Sequence, residues 1–427
     1  MSKRFFLHGG RCIDPLTQAD SILDIVIVDG VIQSMKPSIA TPSDCEVVDL
    51  RGKIVAPGFI DMHVHLREPG FEHKETIETG TLSAAYGGFT AVCCMPNTNP
   101  AIDDESIVRF VHSQGKNVNN GIVDVFPIGA VTKGRKGKEL SSIAELVQAG
   151  AVALSDDGAP VYDAEIMRRA LEYASMYDVP IIQHCEEPAL VQGGVMNEGL
   201  VATELGLPGI PPVAEEIMIG RDVRLTEYTR SRYHVAHMST AGSVNLVRDA
   251  KKKGVSITCE VTPHHFTLTD DIVRSFDTNT KMNPPLRTQS DIDAIKDGLR
   301  DGTIDVIATD HAPHSLDEKE VDYLQAPFGI VGLETAIGLA ITELVETKIL
   351  TLSQLIEKFS ANPRKIIRRP IATREGEVAN FTFIDPGAVW TVKTSRFKSK
   401  SKNSPFEGRT LKGKAIGIFN HGIALMY

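Results

Sequence analysis

Between residues 57 and 370 the chain repeats one cadence eight times: a short Val- and Ile-rich apolar run, then an amphipathic stretch. The apolar runs are Phe59–Leu66, Phe89–Met95, Asp124–Val131, Ala151–Asp156, Pro180–Cys185, Tyr233–Met238, Ser256–Thr262 and Ile304–Asp310. Asp163–Tyr177, Val213–Thr229 and Leu333–Val345 are the clearest of the helical segments beside them. Eight strand-then-helix units of this size predict a closed (β/α)8 TIM barrel, an α/β fold. A doubly wound open sheet is the competing solution, but no Gly-x-Gly-x-x-Gly follows the first strand.

The flanks have a different rhythm. Ile25–Val28 is a β-branched run stopped by Asp29-Gly30, a strong hairpin signal. Val47–Leu50 and Ile54-Val55 follow without helical periodicity. Near the other end, Asn380–Gly387 reads as a strand stopped by a turn, and Ala415–Tyr427 as a hairpin around Asn420-His421-Gly422. Segments 1–56 and 371–427 are therefore expected to pair into one small β domain beside the barrel at 57–370. The basic stretch Phe397–Lys402 between those last strands reads as a solvated loop.

A chain of 427 residues suits one large barrel with an accessory domain. Charged residues make up 23% and hydrophobic ones 42%, which excludes wholesale disorder. No run approaches the ~18 apolar residues of a membrane span. A formal net charge of -10 argues against a broad nucleic-acid surface, while leaving room for a local basic pocket for an anionic substrate. The opening Met1–Gly10 shows no secretory pattern. The six cysteines, at 12, 45, 93, 94, 185 and 259, form no Cys-x-x-Cys pair. Both features predict a reducing cytoplasm, with Cys93 and Cys94 as core thiols.

Metal-competent residues sit where the strand candidates end. The first ends Asp61-Met62-His63-Val64-His65-Leu66-Arg67, and alternation places His63 and His65 on one face with Phe59 and Asp61. Ile60, Met62 and Val64 are expected to face the helices, leaving both imidazoles in the barrel mouth to share one metal ion. The fourth strand ends Ser155-Asp156-Asp157-Gly158 and the fifth Gln183-His184-Cys185-Glu186. The sixth ends Ala236-His237-Met238-Ser239 and the eighth Thr309-Asp310-His311-Ala312-Pro313-His314. Barrel enzymes build their sites from these strand ends, and five such features in one cadence predict a metal centre. His8, His73, His112 and His421 fall off the pattern as surface residues, and His234 receives no role.

Phe59–Gly70, with its Asp61-Met62-His63-Val64-His65-Leu66-Arg67-Glu68-Pro69-Gly70 core, resembles the dihydroorotases of the amidohydrolase superfamily. So do Met95-Pro96-Asn97-Thr98, Lys281–Arg287, Ala308–His314 and Ala326–Glu334. The resemblance runs from about residue 45 to 410 and is to the bacterial class I type. It implies a binuclear Zn²⁺ barrel, two ions per chain. His63, His65 and Asp310 would hold one ion, His184 and His237 the other. Many relatives bridge the pair with a carboxylated lysine. No lysine occurs from Glu139 to Ala250, so Asp157, or less favourably Asp156, takes the bridge.

The reaction implied is reversible loss of water from N-carbamoyl-L-aspartate to close L-dihydroorotate, a step of de novo pyrimidine synthesis. Two Zn²⁺ ions lower the pKa of a shared water and polarise the ring amide. Asp310 takes the proton and passes it to the leaving ring nitrogen. Arg67 grips the substrate carboxylate, completed by Asn97 and His314. Asn283 and the backbone at Phe328-Gly329 contact the ring amide edge. Thr132–Lys138 reads as a plain basic loop, and Ser315–Gln325 as a mobile connection that closes over substrate. Expected partners are the small-molecule substrate and further copies of the chain, with aspartate transcarbamoylase a candidate because some family members associate with it. A hydantoinase- or allantoinase-like cyclic amidase and a catalytically silent scaffold are the competing readings.

Overall fold

A computed structural model describes residues 3–427. The first strands are β1 (Arg4–Asp14), β2 (Ala19–Val28), β3 (Val31–Lys36), β4 (Glu46–Asp49) and β5 (Ile54–Pro57). Asp29 and Gly30 join β2 to β3 with φ of 48° and 79°, the doubly positive turn that matches strand twist. The barrel strands are β6 (Phe59–Val64), β7 (Phe89–Cys94), β8 (Asp124–Pro127) and β9 (Ile181–Gln183). After a short parallel pair, β10 (Met196–Asn197) and β11 (Gly209–Ile210), come β12 (Tyr233–Val235), β13 (Ile257–Val261) and β14 (Val306–Ile307). The chain ends with β15 (Phe381–Thr391), β16 (Thr410–Asn420) and β17 (Ile423–Met426).

β6, β7 and β8 pair in parallel, as do β9, β12, β13 and β14. The fourth strand candidate, Ala151–Asp156, forms no full ladder. Leu154 alone bridges Gly129 on one side and Ile181 on the other, and a bridge between Val64 and His311 closes the ring. The circle is thus a (β/α)8 barrel with two thin seams. Ala164–Met176 and Val213–Thr229 are helical, the first capped by Asp163, whose side chain accepts from the backbone of Glu165 and Ile166. The helix begun at Ala336–Ala340 continues as a π turn over Ile341–Val345.

One expectation about β6 is reversed. Ile60 and Met62 do not face the helices. They pack with Ala91, Cys93, Ile128, Ile182, Ala236, Val306 and Ala308 from the other strands, inside the barrel. Phe59 instead packs outward on Phe89 and Phe359. The β6–β7 register shifts between Asp61 and Val64, so alternation restarts there. That irregularity is held by Asp61, buried, whose carboxylate accepts from the backbone N–H of His63 and Thr309. It brings His63 into the interior one layer above Met62.

β1–β5 and β15–β17 share one mixed sheet, in the order β17-β16-β15-β5-β1-β2-β3 with β4 on β1. Its two halves meet where β15 runs antiparallel to β5. Phe5, Leu7, Ile25, Ile27, Phe381, Phe383 and Phe419 form its separate apolar core. The basic stretch at 397–402 is not a solvated loop. Two acids, fully buried Glu75 and half-buried Glu334, tie it down: Glu75 accepts from Ser399 Oγ and from the backbone of Lys400 (2.9 Å), and Glu334 from the backbone of Lys398 (2.7 Å) and Ser399 (3.1 Å). This strap leads to Asn403 against the barrel mouth. Among the described residues no helix is long and apolar enough to cross a membrane.

Candidate metal and substrate site

The strand ends bring four imidazoles and two carboxylates together, all buried. Asp157 lies between two histidine pairs. Its Oδ2 is 3.3 Å from His63 Nε2 and 3.5 Å from His65 Nε2. Its Oδ1 is 3.4 Å from His237 Nε2 and 3.8 Å from His184 Nδ1. Asp310 Oδ1 sits 3.0 Å from His65 Nε2 and 3.5 Å from His63 Nε2. Donors at ~2.1 Å from a tetrahedral ion are about 3.4 Å apart, so these spacings suit ligands gathered around ions. His63 Nε2 and Asp157 Oδ1 are buried without a hydrogen-bond partner. Such lone pairs are costly to bury unless something cationic takes them up. The donor set fits a divalent metal. Asp156 turns elsewhere, its carboxylate accepting from the backbone (3.0 Å) and hydroxyl of Thr132.

Burial opposes charge on Asp157 and Asp310. The facing imidazoles of His63, His65 and His237 outweigh it and hold both carboxyls below the usual carboxylate range. Three residues here take positive φ without being glycine: Arg67 at 64°, His237 at 26° and Asp310 at 48°. Each such conformation costs on the order of 1–3 kcal/mol and persists only where surrounding packing imposes it.

A cavity of about 320 Å³ opens over the cluster. Arg67, Asn97, Asn283, His314, Phe328 and Gly329 all line it. Arg67 does not continue the strand, as its φ shows. Its guanidinium instead turns to the segment after Asp310, with Nε donating to Pro313 O (3.1 Å) and Nη2 3.4 Å from His314 Nε2. Burial pulls the guanidinium down to about 10, so it keeps its charge at neutral pH. No carboxylate of the described residues lies within 4.0 Å of it. Asn97 has its oxygen engaged by His65 Nδ1 (2.7 Å), and Asn283 donates to Glu186 (2.6 Å).

Two loops carry more local structure than their sequence reading gave them. In Thr132–Lys138, Arg135 reaches inward and donates to Asp157 O (2.7 Å) and Asp156 O (3.3 Å), so this loop braces the fourth strand end. Ser315–Gln325 is largely exposed but pinned from within: Leu316–Lys319 is a helical turn, and buried Lys319 donates to Thr278 O (3.1 Å) and Pro327 O (2.8 Å).

Residue reasoning passed over Glu260 and His234. Glu260, fully buried in β13, accepts from His63 Nδ1 (2.6 Å) and pairs with His234 Nε2 (3.2 Å), while His234 Nδ1 meets Thr258 Oγ1 (2.8 Å). Burial pushes the Glu260 carboxyl up, but these two rings prevail and hold it down to about 2. A carboxylate on the far nitrogen of a metal-binding histidine orients the ring and strengthens it as a donor. The available signal was a glutamate inside the apolar run Ile257–Val261, since a buried charge in a parallel strand needs a partner.

A family model described as "Dihydro-orotase-like" matches residues 52–243. A dihydroorotase of Geotalea daltonii is 53% identical over 411 residues, covering 96% of each chain. One from Acetivibrio thermocellus is 52% identical over 417 residues, covering 97% of each. The chain belongs to the dihydroorotase family. Its fold is shared more widely. An L-hydantoinase (dihydropyrimidinase) from Arthrobacter aurescens superposes with a TM-score of 0.87 at 23% identity, over 100% of this chain and 96% of that one. A dihydropyrimidinase from Brevibacillus agri gives 0.83 at 20% identity, over 99% and 95%. Membership in the dihydroorotase family and this donor set together make the chain a metal-dependent cyclic amide hydrolase acting on a small molecule.

Proposed function

We propose that this chain interconverts N-carbamoyl-L-aspartate and L-dihydroorotate, with two Zn²⁺ ions per chain. His63, His65 and Asp310 would hold one ion, His184 and His237 the other, and Asp157 would serve both as their shared carboxylate. When bound, the ions lower the pKa of a water molecule and polarise the ring carbonyl. The Asp310 carboxylate accepts the proton of the attacking water and delivers it to the ring nitrogen as the amide bond breaks. Asn283 and the backbone at Phe328-Gly329 hold the amide edge of the ring. Arg67 takes the substrate carboxylate, which supplies the direct ion pair that Asp310, Asp157 and Glu318 do not reach to make.

The observation that carries this reading is Arg67: a buried, charged guanidinium without a carboxylate partner, on the wall of the cavity that holds the metal donors. Desolvating a cation without a counter-ion is expensive, and a carboxylate-bearing ring repays it where an uncharged ring does not. Hydrolysis of dihydroorotate, dihydrouracil, hydantoin and allantoin by metal-analysed protein tests it. Turnover centred on dihydroorotate at about two zinc ions per chain is expected. Preference for an uncharged ring overturns the substrate assignment.

A further inference from the structure

Asn403 lies far from the metal donors in sequence, at the end of the strap anchored by Glu75 and Glu334. It is 5% exposed. Its side chain makes three hydrogen bonds, all to two segments that line the same cavity as the candidate metal donors. Oδ1 accepts from the backbone N–H of His314 (3.2 Å), and Nδ2 donates to Ala312 O (3.2 Å) and Gly329 O (3.0 Å). Its backbone carbonyl accepts from Val331 N–H (2.9 Å). One amide thus ties the segment after Asp310 to the segment 326–331.

Those two segments are otherwise joined at few points. His314 Nε2 donates to Phe328 O (2.8 Å), and Ala312 N–H donates to Ile330 O (2.7 Å). Gly329 has φ of +127°, and an added Cβ there would stand 2.7 Å from Ala312 Cβ. The fit between them is therefore close and intolerant of slippage. Arg67 is held through the same segment, by Pro313 O.

We infer that Asn403 is a positioning residue for substrate binding: it clamps 312–314 to 326–331, so that Arg67, His314 and the Phe328-Gly329 backbone present one rigid wall. An asparagine suits this task because a single planar side chain offers both an acceptor and two donors. Aspartate keeps the acceptor for His314 N–H but sets an oxygen against two carbonyls. The effect falls on binding, since Asn403 touches neither the metal donors nor Asp310. The substrate side of this inference rests on the assignment of Arg67 and His314 above.

The test uses full-length, metal-loaded protein carrying Asn403→Ala or Asn403→Asp, with Ser401→Ala as the control. Ser401 belongs to the same strap, but its hydroxyl donates to Lys74 O and touches neither wall segment. Losing the clamp should raise KM for dihydroorotate about tenfold or more, with kcat within about threefold and metal content unchanged. Hydrogen exchange of backbone amides at 312–315 and 328–332 should quicken in both Asn403 variants and stay as in the parent in Ser401→Ala. Parental KM with parental exchange overturns the inference. So does a loss shared by Ser401→Ala, or a fall in kcat that follows metal loss, because either is a folding effect. If the parent protein itself leaves dihydroorotate untouched, the substrate reading fails, and the exchange comparison still decides the clamp.

Discussion

Replacing Glu260 separates what the donor residues do from what supports them. Glu260→Gln keeps the shape and an acceptor for His63 Nδ1–H but removes the charge. Its amide group would face His234 Nε2, and His234 has a way to adapt. Thr258 Oγ1, 2.8 Å from Nδ1, accepts as readily as it donates, so the ring can switch tautomer. Only the donor strength of His63 suffers, and zinc should bind about tenfold more weakly, or about 1.4 kcal/mol. Glu260→Ala strips both rings of their partner in a site closed to water. Each orphaned imidazole nitrogen costs on the order of 1–3 kcal/mol in folding. His63 is also free to turn, so zinc affinity should fall about 100-fold, about 2.7 kcal/mol. Competition against a chelator of known zinc affinity, followed by zinc titration of activity, gives both numbers. Glu260→Gln should recover most of its kcat at saturating zinc. Parental zinc affinity in Glu260→Ala refutes the argument, as would a larger loss in Gln than in Ala.

Asp310→Asn should cost roughly 10²–10⁴-fold in turnover with substrate binding largely kept, because the amide cannot accept the proton; metal content on the same sample separates this from ligand loss. Asp157→Ala should lose metal and activity together by elemental analysis. Asp156→Ala should keep its metal and lose thermal stability instead, since that carboxylate holds Thr132. Activity after metal reconstitution should not depend on bicarbonate, because a carboxylate rather than an amine stands between the histidine pairs. Arg67→Met should lower kcat/KM for dihydroorotate by about 1.5–3 kcal/mol and for dihydrouracil much less; equal losses for both rings would return Arg67 to a structural role.

Much of the barrel could be read from residues because its parallel strands are buried on both faces and stand out as apolar runs. The fourth could not be drawn correctly, since Leu154 meets its neighbours through isolated bridges that leave no periodic trace. His63 and His65 were legible as a pair, yet the face below them was assigned wrongly. Alternation holds only while the register holds, and the shift after Asp61 depends on Thr309, 248 residues away. Arg67 was found, but its direction was not, because a positive φ in an arginine is imposed by packing. Glu260 stayed hidden for a related reason: its meaning lies in His63 and His234 across the barrel. The strap was misread because lysines suggested solvent, whereas its backbone and serines, with buried Glu75 and half-buried Glu334, decide where it lies.

The placement of the strap has a consequence for biosynthesis. The donor set is complete by Asp310, whereas Asn403 and β16 arrive about ninety residues later. At ~5–20 residues per second, a ribosome takes on the order of 5–20 s to cover that stretch. During this interval the chain holds every candidate metal donor before the residue that fastens the cavity wall has been made. Translation therefore sets an order, the candidate donors first and the fastening of the cavity wall last. A messenger truncated between codons 371 and 397 would encode every candidate metal donor and neither Asn403 nor β16.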